Sequence, residues 1–288
     1  MNMNKRDLEK FFDRMSEAVL EAGKLTKSMQ WKVENIGKIP EAMPGDSEKQ
    51  SRDRATKTIV DEWVQELLLK AAADGLNPKS ILLDAEEDTS SVKLFSKKPY
   101  LTSLILDPID ATVEYLAGKD SYSVCVGLVE NGRVNIAIVY FPARDNFYYL
   151  SPNGKSYLAK NASTKGIKGA KFLKVKQAKN KIIYKNNRTP ESVTQKLEEK
   201  GYKVFDDTHK AIGVADILIR IMNGEVLAYL AHTRQMRDML LGPIIQSAGG
   251  YTVDWNGKPL IWPFGGRLPR VMFGFGKIPK EILRCLKE

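Results

Sequence analysis

Two apolar runs that end in acids constrain the fold more than any other feature of the chain. "KSILLDAEED" (79–88) and "YLTSLILDPID" (100–110) are each too short for a buried helix and rich in the branched residues of strands, and each delivers carboxylates at one end. They predict two strands that both discharge carboxylates at one end. Pro108 fixes φ and is expected to help stop the second strand, so that Asp107 and Asp110 turn toward one space beyond it. The plainer alternative is that Asp-Pro marks only a turn and that Asp110 caps the next helix.

The rest of the chain fits helices and strands around these two. Leu8, Phe11, Phe12, Met15, Val19 and Leu20 recur at helical spacing within 5–30. A Pro- and Gly-containing loop follows over 34–54, and then a helix from Ile59 to Ala73. "SYSVCVGLVE" and "RVNIAIVYFP" flank Asn131-Gly132, the strongest short-range hairpin signal, and "FYYLS" extends the meander. In the second half, strands at "KIIYKNN", "YKVFD" and "EVLAYLA" alternate with helices at "ESVTQKLEEKG", about 212–222, and Asp238–Ser247. The pattern predicts an α/β (α+β layered) protein of two lobes, 1–160 and 161–288, joined tightly near 155–180.

Composition removes several classes. With 288 residues, 43% apolar and 28% charged, the chain has material for an ample core and no mark of disorder. The charged start "MNMNKRDLEKFFDRM" is unlike a signal peptide and no run suits a spanning helix, so the chain reads as cytoplasmic, with no membrane partner. Cys125 and Cys285 are far apart and form no CxxC pair, which fits a reducing compartment and argues against thiolate metal ligation. His209 and His232 are too few for a zinc cage. P-loop, dinucleotide, GxSxG and HExxH motifs are missing.

A net charge of +10 favours anionic partners. Nine basic residues and no acid lie between Lys165 and Arg188, but few aromatics are interleaved there, so this run reads as a solvated face and nucleic acid is not expected. Trp31, Trp63, Trp255 and Trp262 read as packing residues.

The acids suit a hard cation. Two carboxylates at one spot match magnesium, which completes its shell with water and phosphate oxygens. Ala111 to Tyr115 can open a helix directly after Asp110, with free amides suited to a phosphate. Cation ligands and an anion dock within six residues are what hydrolysis of a phosphate ester requires.

"EED" (86–88), "DPIDAT" (107–112), "TIVD" (58–61) and "RDMLLGPIIQSAGGYTVDWNG" (237–257) together resemble the motifs of the inositol monophosphatase superfamily, the lithium-sensitive, magnesium-dependent phosphatases. The resemblance covers about residues 50–260. It implies the two-lobed fold shared with fructose-1,6-bisphosphatase, an αβαβα sandwich of alternating layers, and hydrolysis of a small phosphorylated metabolite by metal-activated water. By position it makes Glu86, Asp107, the Ile109 carbonyl, Asp110 and Asp238 ligands for two or three Mg2+, with Mn2+ as a substitute. It makes Glu86, Thr112 and Asp61 catalytic, and places the phosphate at Ala111 and Thr112. A homodimer is also implied.

Two departures stand out: Ala111 replaces the glycine of DPxDGT, and Arg237 replaces the tryptophan before the last aspartate and is a possible substrate contact. "ATVEYLAG" looks like the 3'(2'),5'-bisphosphate nucleotidase branch, whose members convert adenosine 3',5'-bisphosphate to AMP. "KNNR" (185–188) and "GVADI" (213–217) stand where that branch has other residues, so an inositol monophosphatase or sugar phosphatase is the alternative. A reading of another class is a catalytically degenerate protein of the same fold that binds a phosphorylated ligand and regulates.

Overall fold

The computed structural model describes residues 3–38, 55–98, 100–207, 213–263 and 266–287. Most of the loop expected over 34–54 and His209 lie outside them.

The first sheet has seven strands in chain order: β1 (Leu82–Ala85), β2 (Thr102–Asp110), β3 (Ser123–Glu130), β4 (Arg133–Phe141), β5 (Asn146–Leu150), β6 (Ser156–Lys160) and β7 (Lys171–Phe172). β1 and β2 pair in parallel and every later pair is antiparallel. The hairpin between β3 and β4 turns at Asn131 and Gly132, both at positive φ (51° and 74°), as the primed turn requires.

The strands of this sheet are apolar on both faces because both are covered. Leu104, Leu106, Val124, Val126, Ile136 and Ile138 face α1 (Lys5–Met29) and α2 (Ile59–Ala73). The intervening Ile105, Cys125, Ala137 and Val139 face the other way. Phe11, Met15, Val19, Val64 and Leu68 of the two helices are buried against the first set. Full burial of one such side chain contributes about 1.5–3 kcal/mol, so this contact fixes how the two helices lie on the sheet. Asn4 accepts from the Asp7 N–H at the start of α1 (3.0 Å), and Thr58 and Asp61 form a reciprocal capping box on α2.

Two short helices punctuate the first half, α3 (Thr112–Leu116) and α4 (Ala162–Lys165). The second half supplies β8 (Ile182–Lys185), α5 (Glu191–Glu199), β9 (Lys203–Asp206), α6 (Val214–Met222), β10 (Ala228–Gln235), α7 (Leu241–Ser247), β11 (Gly250–Asp254), β12 (Arg267–Phe275) and α8 (Lys280–Cys285). Its five strands order as β11-β12-β10-β8-β9. Ile217, Leu218, Leu241 and Ile244 of α6 and α7 share a core with Ile105 and Val139 on one side and Tyr229 and Phe273 on the other. Ile183, Leu230 and Met272 on the far face of the second sheet meet Val193 and Leu197 of α5 and Ile282 of α8. The layers therefore run helix, sheet, helix, sheet, helix, the αβαβα sandwich expected.

Three expectations are corrected. β2 does not stop at Pro108 but continues to Asp110, because an irregularity in its pairing absorbs the missing N–H. Asp238 does not start an α-helix: it sits in a 3-10 turn, Arg237–Met239, ahead of α7. Trp255 and Trp262 are buried, whereas Trp31 is 76% and Trp63 46% exposed. The basic run is largely solvated; Lys185 is buried and pairs with Asp206 at 3.5 Å.

Candidate active site

Side chains alternate faces along a strand, so two residues three apart should point opposite ways. Asp107 and Asp110 escape this because β2 spends three residue steps where β3 spends two: Asp107 lies opposite Cys125 and Asp110 opposite Ser123. The extra residue returns Asp110 to the side of Asp107. Ser123 Oγ donates to Asp110 Oδ2 at 3.2 Å. Asp238 arrives from the 3-10 turn, which packs against β2 and β3, and one carboxylate oxygen from each of Asp107, Asp110 and Asp238 lies within 4.8 Å of the others. Ala111, with no side-chain cap, opens α3, so the capping role considered for Asp110 is not the one it has.

Three acids this close are costly without a cation. Asp107 and Asp110 are 3% and 8% exposed, and Asp107 Oδ1 is buried with no hydrogen-bond partner. Burial, then Glu86, pushes the Asp107 pKa well up; burial, then Asp238, pushes Asp110 up to about 8. An orphaned carboxylate oxygen inside an all-oxygen cluster fits a hard divalent ion.

Glu86 follows β1 at the edge of the cluster. Gln65 of α2 clamps its neighbour, donating to the Glu87 carbonyl (2.5 Å) and accepting from the Glu87 N–H (2.9 Å). Lys38 Nζ bridges Glu86 Oε1 (2.7 Å) and Glu87 Oε1 (2.6 Å), and Lys57 holds the other Glu87 oxygen at 3.2 Å. Burial would raise the Glu86 pKa, but Lys38 and Arg237 outweigh it and leave it lowered.

Thr112 and Asp61 meet beside the acids. Thr112 Oγ1 lies 3.3 Å from Asp61 Oδ1 and 3.0 Å from the Ile109 carbonyl, two acceptors for one hydroxyl proton. The other Asp61 oxygen accepts from Thr58 N–H (2.8 Å) and Thr58 Oγ1 (2.6 Å), so the capping box that begins α2 also aims Asp61. Asp61 is fully buried, and burial, against the opposing bonds from Thr58, brings its pKa up to about 6.

Two arginines flank Asp238. Arg234 Nε lies 3.7 Å from Asp238 Oδ2, and Arg234 Nη2 is 3.0 Å from Asp207, which also accepts from the Tyr229 hydroxyl at 2.7 Å. Arg237 Nη1 is 3.5 Å from Asp84 Oδ1. The structure thus brings Asp61, Glu86, Asp107, Ile109, Asp110, Thr112, Arg237 and Asp238 into one neighbourhood. Lys38, Lys57, Gln65, Asp207 and Arg234 were missed. A signal existed for Arg234, a cation only four residues before Asp238, and for Lys57, which precedes the capping threonine; the others are long-range pairings with no local trace.

Comparison with known proteins agrees with this geometry. The model of the inositol monophosphatase family matches residues 19–271, and the chain belongs to that family of phosphatases. It is 23% identical to a fructose-1,6-bisphosphatase/inositol-1-monophosphatase of Thermotoga maritima, over 64% of this chain and 67% of that one. It is 24% identical to a 3'(2'),5'-bisphosphate nucleotidase CysQ of Salmonella typhimurium, over 54% of this chain and 60% of that one. The match to these relatives thus spans about two thirds of their length or less. Among solved structures, an IMPase/NADP phosphatase complexed with Mg2+ and phosphate superposes with a TM-score of 0.70 at 13% identity, over 97% of this chain and 96% of that one. Among the described residues no helix is long and apolar enough to cross a membrane.

Proposed function

We propose that the chain is a magnesium-dependent phosphomonoesterase acting on a small phosphorylated metabolite. The observation that carries this reading is the convergence of Asp107, Asp110 and Asp238, with one buried oxygen of Asp107 unpartnered, directly beside the Thr112–Asp61 pair. Asp107, Asp110, Asp238, Glu86 and the Ile109 carbonyl are the ligands in this reading, and residues 1–160 carry the site while 161–288 contribute Asp238 and the substrate-recognising surface. When bound, the cation supplies the positive charge that acidifies a water and screens the phosphate oxygens.

The chain's own residues do the rest. Thr112, donating its proton to Asp61, keeps lone pairs with which to accept from the attacking water and set its line of approach. Asp61, at about 6, is a carboxylate at neutral pH and close enough in pKa to take a proton. Glu86 is kept ionised by Lys38 and can accept a hydrogen bond from the second hydrogen of that water, which stays on the attacking oxygen. The amides of Ala111 and Thr112 are the dock for the phosphate.

For the substrate, the reading we favour is adenosine 3',5'-bisphosphate, supported by the likeness to a bisphosphate nucleotidase. Phosphate release from adenosine 3',5'-bisphosphate, inositol 1-phosphate and fructose 1,6-bisphosphate, with Mg2+ and with Li+ added, tests it. Mg2+-dependent release, fastest on the nucleotide and suppressed by Li+, is expected. Turnover of another ester overturns the substrate; no turnover across the panel overturns the enzyme reading.

A further inference from the structure

Ser123 stands directly opposite Asp110 in the pairing of β2 with β3, and Cys125 directly opposite Asp107. The irregularity that returns Asp110 to the side of Asp107 therefore also sets its carboxylate beside the Ser123 hydroxyl, 3.2 Å from Asp110 Oδ2. Ser123 is fully buried, so water does not compete for that hydroxyl. Two residues along the same strand and on the same face, Cys125 places its Sγ 3.4 Å from Ser123 Oγ. A hydroxyl carries one proton and a carboxylate only accepts, so the Ser123 proton goes to Asp110 and the buried Cys125 thiol is the donor to Ser123. The result is a directed chain from Cys125 to Ser123 to Asp110, ending on one of the three converging acids.

We propose that Ser123 is a positioning residue of the metal centre: it fixes the plane of the Asp110 carboxylate before an ion arrives, so that Asp110 meets the ion together with Asp107 and Asp238. The inference rests on the metal reading above. A carboxylate left to turn about its side-chain torsions must give up that freedom when an ion binds, which weakens the binding. Magnesium adds to the demand, because it tolerates little departure from octahedral geometry. The bond from Ser123 takes one lone pair of the carboxylate and leaves others for a cation. Partners that orient a ligating side chain in this way are typically worth about 10–100-fold in metal affinity. Cys125 acts one step further out, through Ser123.

The test reads ion binding rather than turnover. Mn2+ affinity is measured by calorimetric titration of metal-free wild type, Ser123→Ala and Ser123→Thr, and melting temperatures are taken in EDTA and in Mn2+. Ser123→Ala is expected to bind Mn2+ about tenfold more weakly and to gain less in melting temperature from Mn2+ than wild type does. Ser123→Thr, which keeps the hydroxyl, should bind within about threefold of wild type. Should either variant fail to fold, Ser123→Cys keeps the shape with only a weak donor and should bind several-fold more weakly than wild type. A purely structural serine would lower the melting temperature in EDTA and leave Mn2+ affinity unchanged. Equal affinity in wild type and Ser123→Ala, or in wild type and Ser123→Cys where that variant is used, overturns the inference and leaves the metal reading standing; so does a Ser123→Thr protein as weak as Ser123→Ala. If wild type takes up no Mn2+, the metal reading fails and this inference with it.

Discussion

A side chain built onto Gly213 would put its Cβ 3.2 Å from the Cβ of Ala111, so the methyl that replaces the motif's glycine is seated against a glycine from the second half of the chain. Ala111 sits in the left-handed region (φ 68°, ψ 51°), which costs a residue with a Cβ roughly 1–2 kcal/mol. Gly213, at the start of α6 with an ordinary φ of −59°, is not needed for its backbone but for the room it leaves. Ala111→Gly is therefore expected to raise the unfolding free energy by up to about 1 kcal/mol, part of the relief being offset by the freer unfolded chain. Gly213→Ala should destabilise wild type more than it destabilises Ala111→Gly, and urea unfolding of the four proteins of that cycle measures the difference.

Thr112 is expected to serve the reaction more than the cation. Loss of its hydroxyl in Thr112→Ala should lower kcat by about 10²–10⁴, the usual reach of acid–base catalysis. Mn2+ affinity should stay within about threefold, because the side chain is no ligand, and Thr112→Ser should recover much of the rate. Steady-state kinetics beside a Mn2+ titration of the same proteins separate the two effects.

The pair Asp207–Arg234 is expected to be costly to break from one side. Asp207 is 2% exposed and depends on Arg234 and Tyr229. Arg234→Met removes a cation from that buried carboxylate and should cost about 3–5 kcal/mol in chemical denaturation. Adding Asp207→Asn should restore part of the loss, since the uncompensated charge is then gone.

In the absence of divalent ions the acids set how stability depends on pH. Asp61 at about 6 and Asp110 at about 8 bind protons more tightly folded than unfolded, where an aspartate titrates near about 4. Between those values the native state holds more protons, so the stability that these two groups contribute is fully present below about pH 4 and is lost as pH rises through 6 and 8. Saturating Mg2+ should flatten this decline by supplying the missing positive charge. Urea midpoints from pH 4 to 8.5, with EDTA and with Mg2+, follow both trends.

Much of this was readable in order along the chain. The acids at the ends of β1 and β2, the Asn131-Gly132 turn and the α2 helix are local patterns, set by alternation, turn chemistry and capping, and each lies where those patterns put it. Thr58 and Asp61 were visible as a motif, yet their capping box appears only when the atoms are placed. The pairing irregularity at Pro108 was not legible, because a bulge depends on the partner strand as much as on the proline. Nor were the bridges from Lys38 to Glu86 or from Arg234 to Asp207, which join residues 48 and 27 positions apart. Trp31 and Trp63 misled because indole bulk says packing, while their positions at the end of α1 and on the outer side of α2 leave them in water.

The account stands most directly on calorimetric titration of Mn2+ into the metal-free protein and into Asp110→Asn, which keeps the shape of the side chain and removes its charge. Saturable uptake by wild type, at least about tenfold weaker in Asp110→Asn with its melting temperature undiminished, is the result predicted for a charge that only a cation needs. No heat of binding in wild type, or equal binding in both proteins, would contradict it.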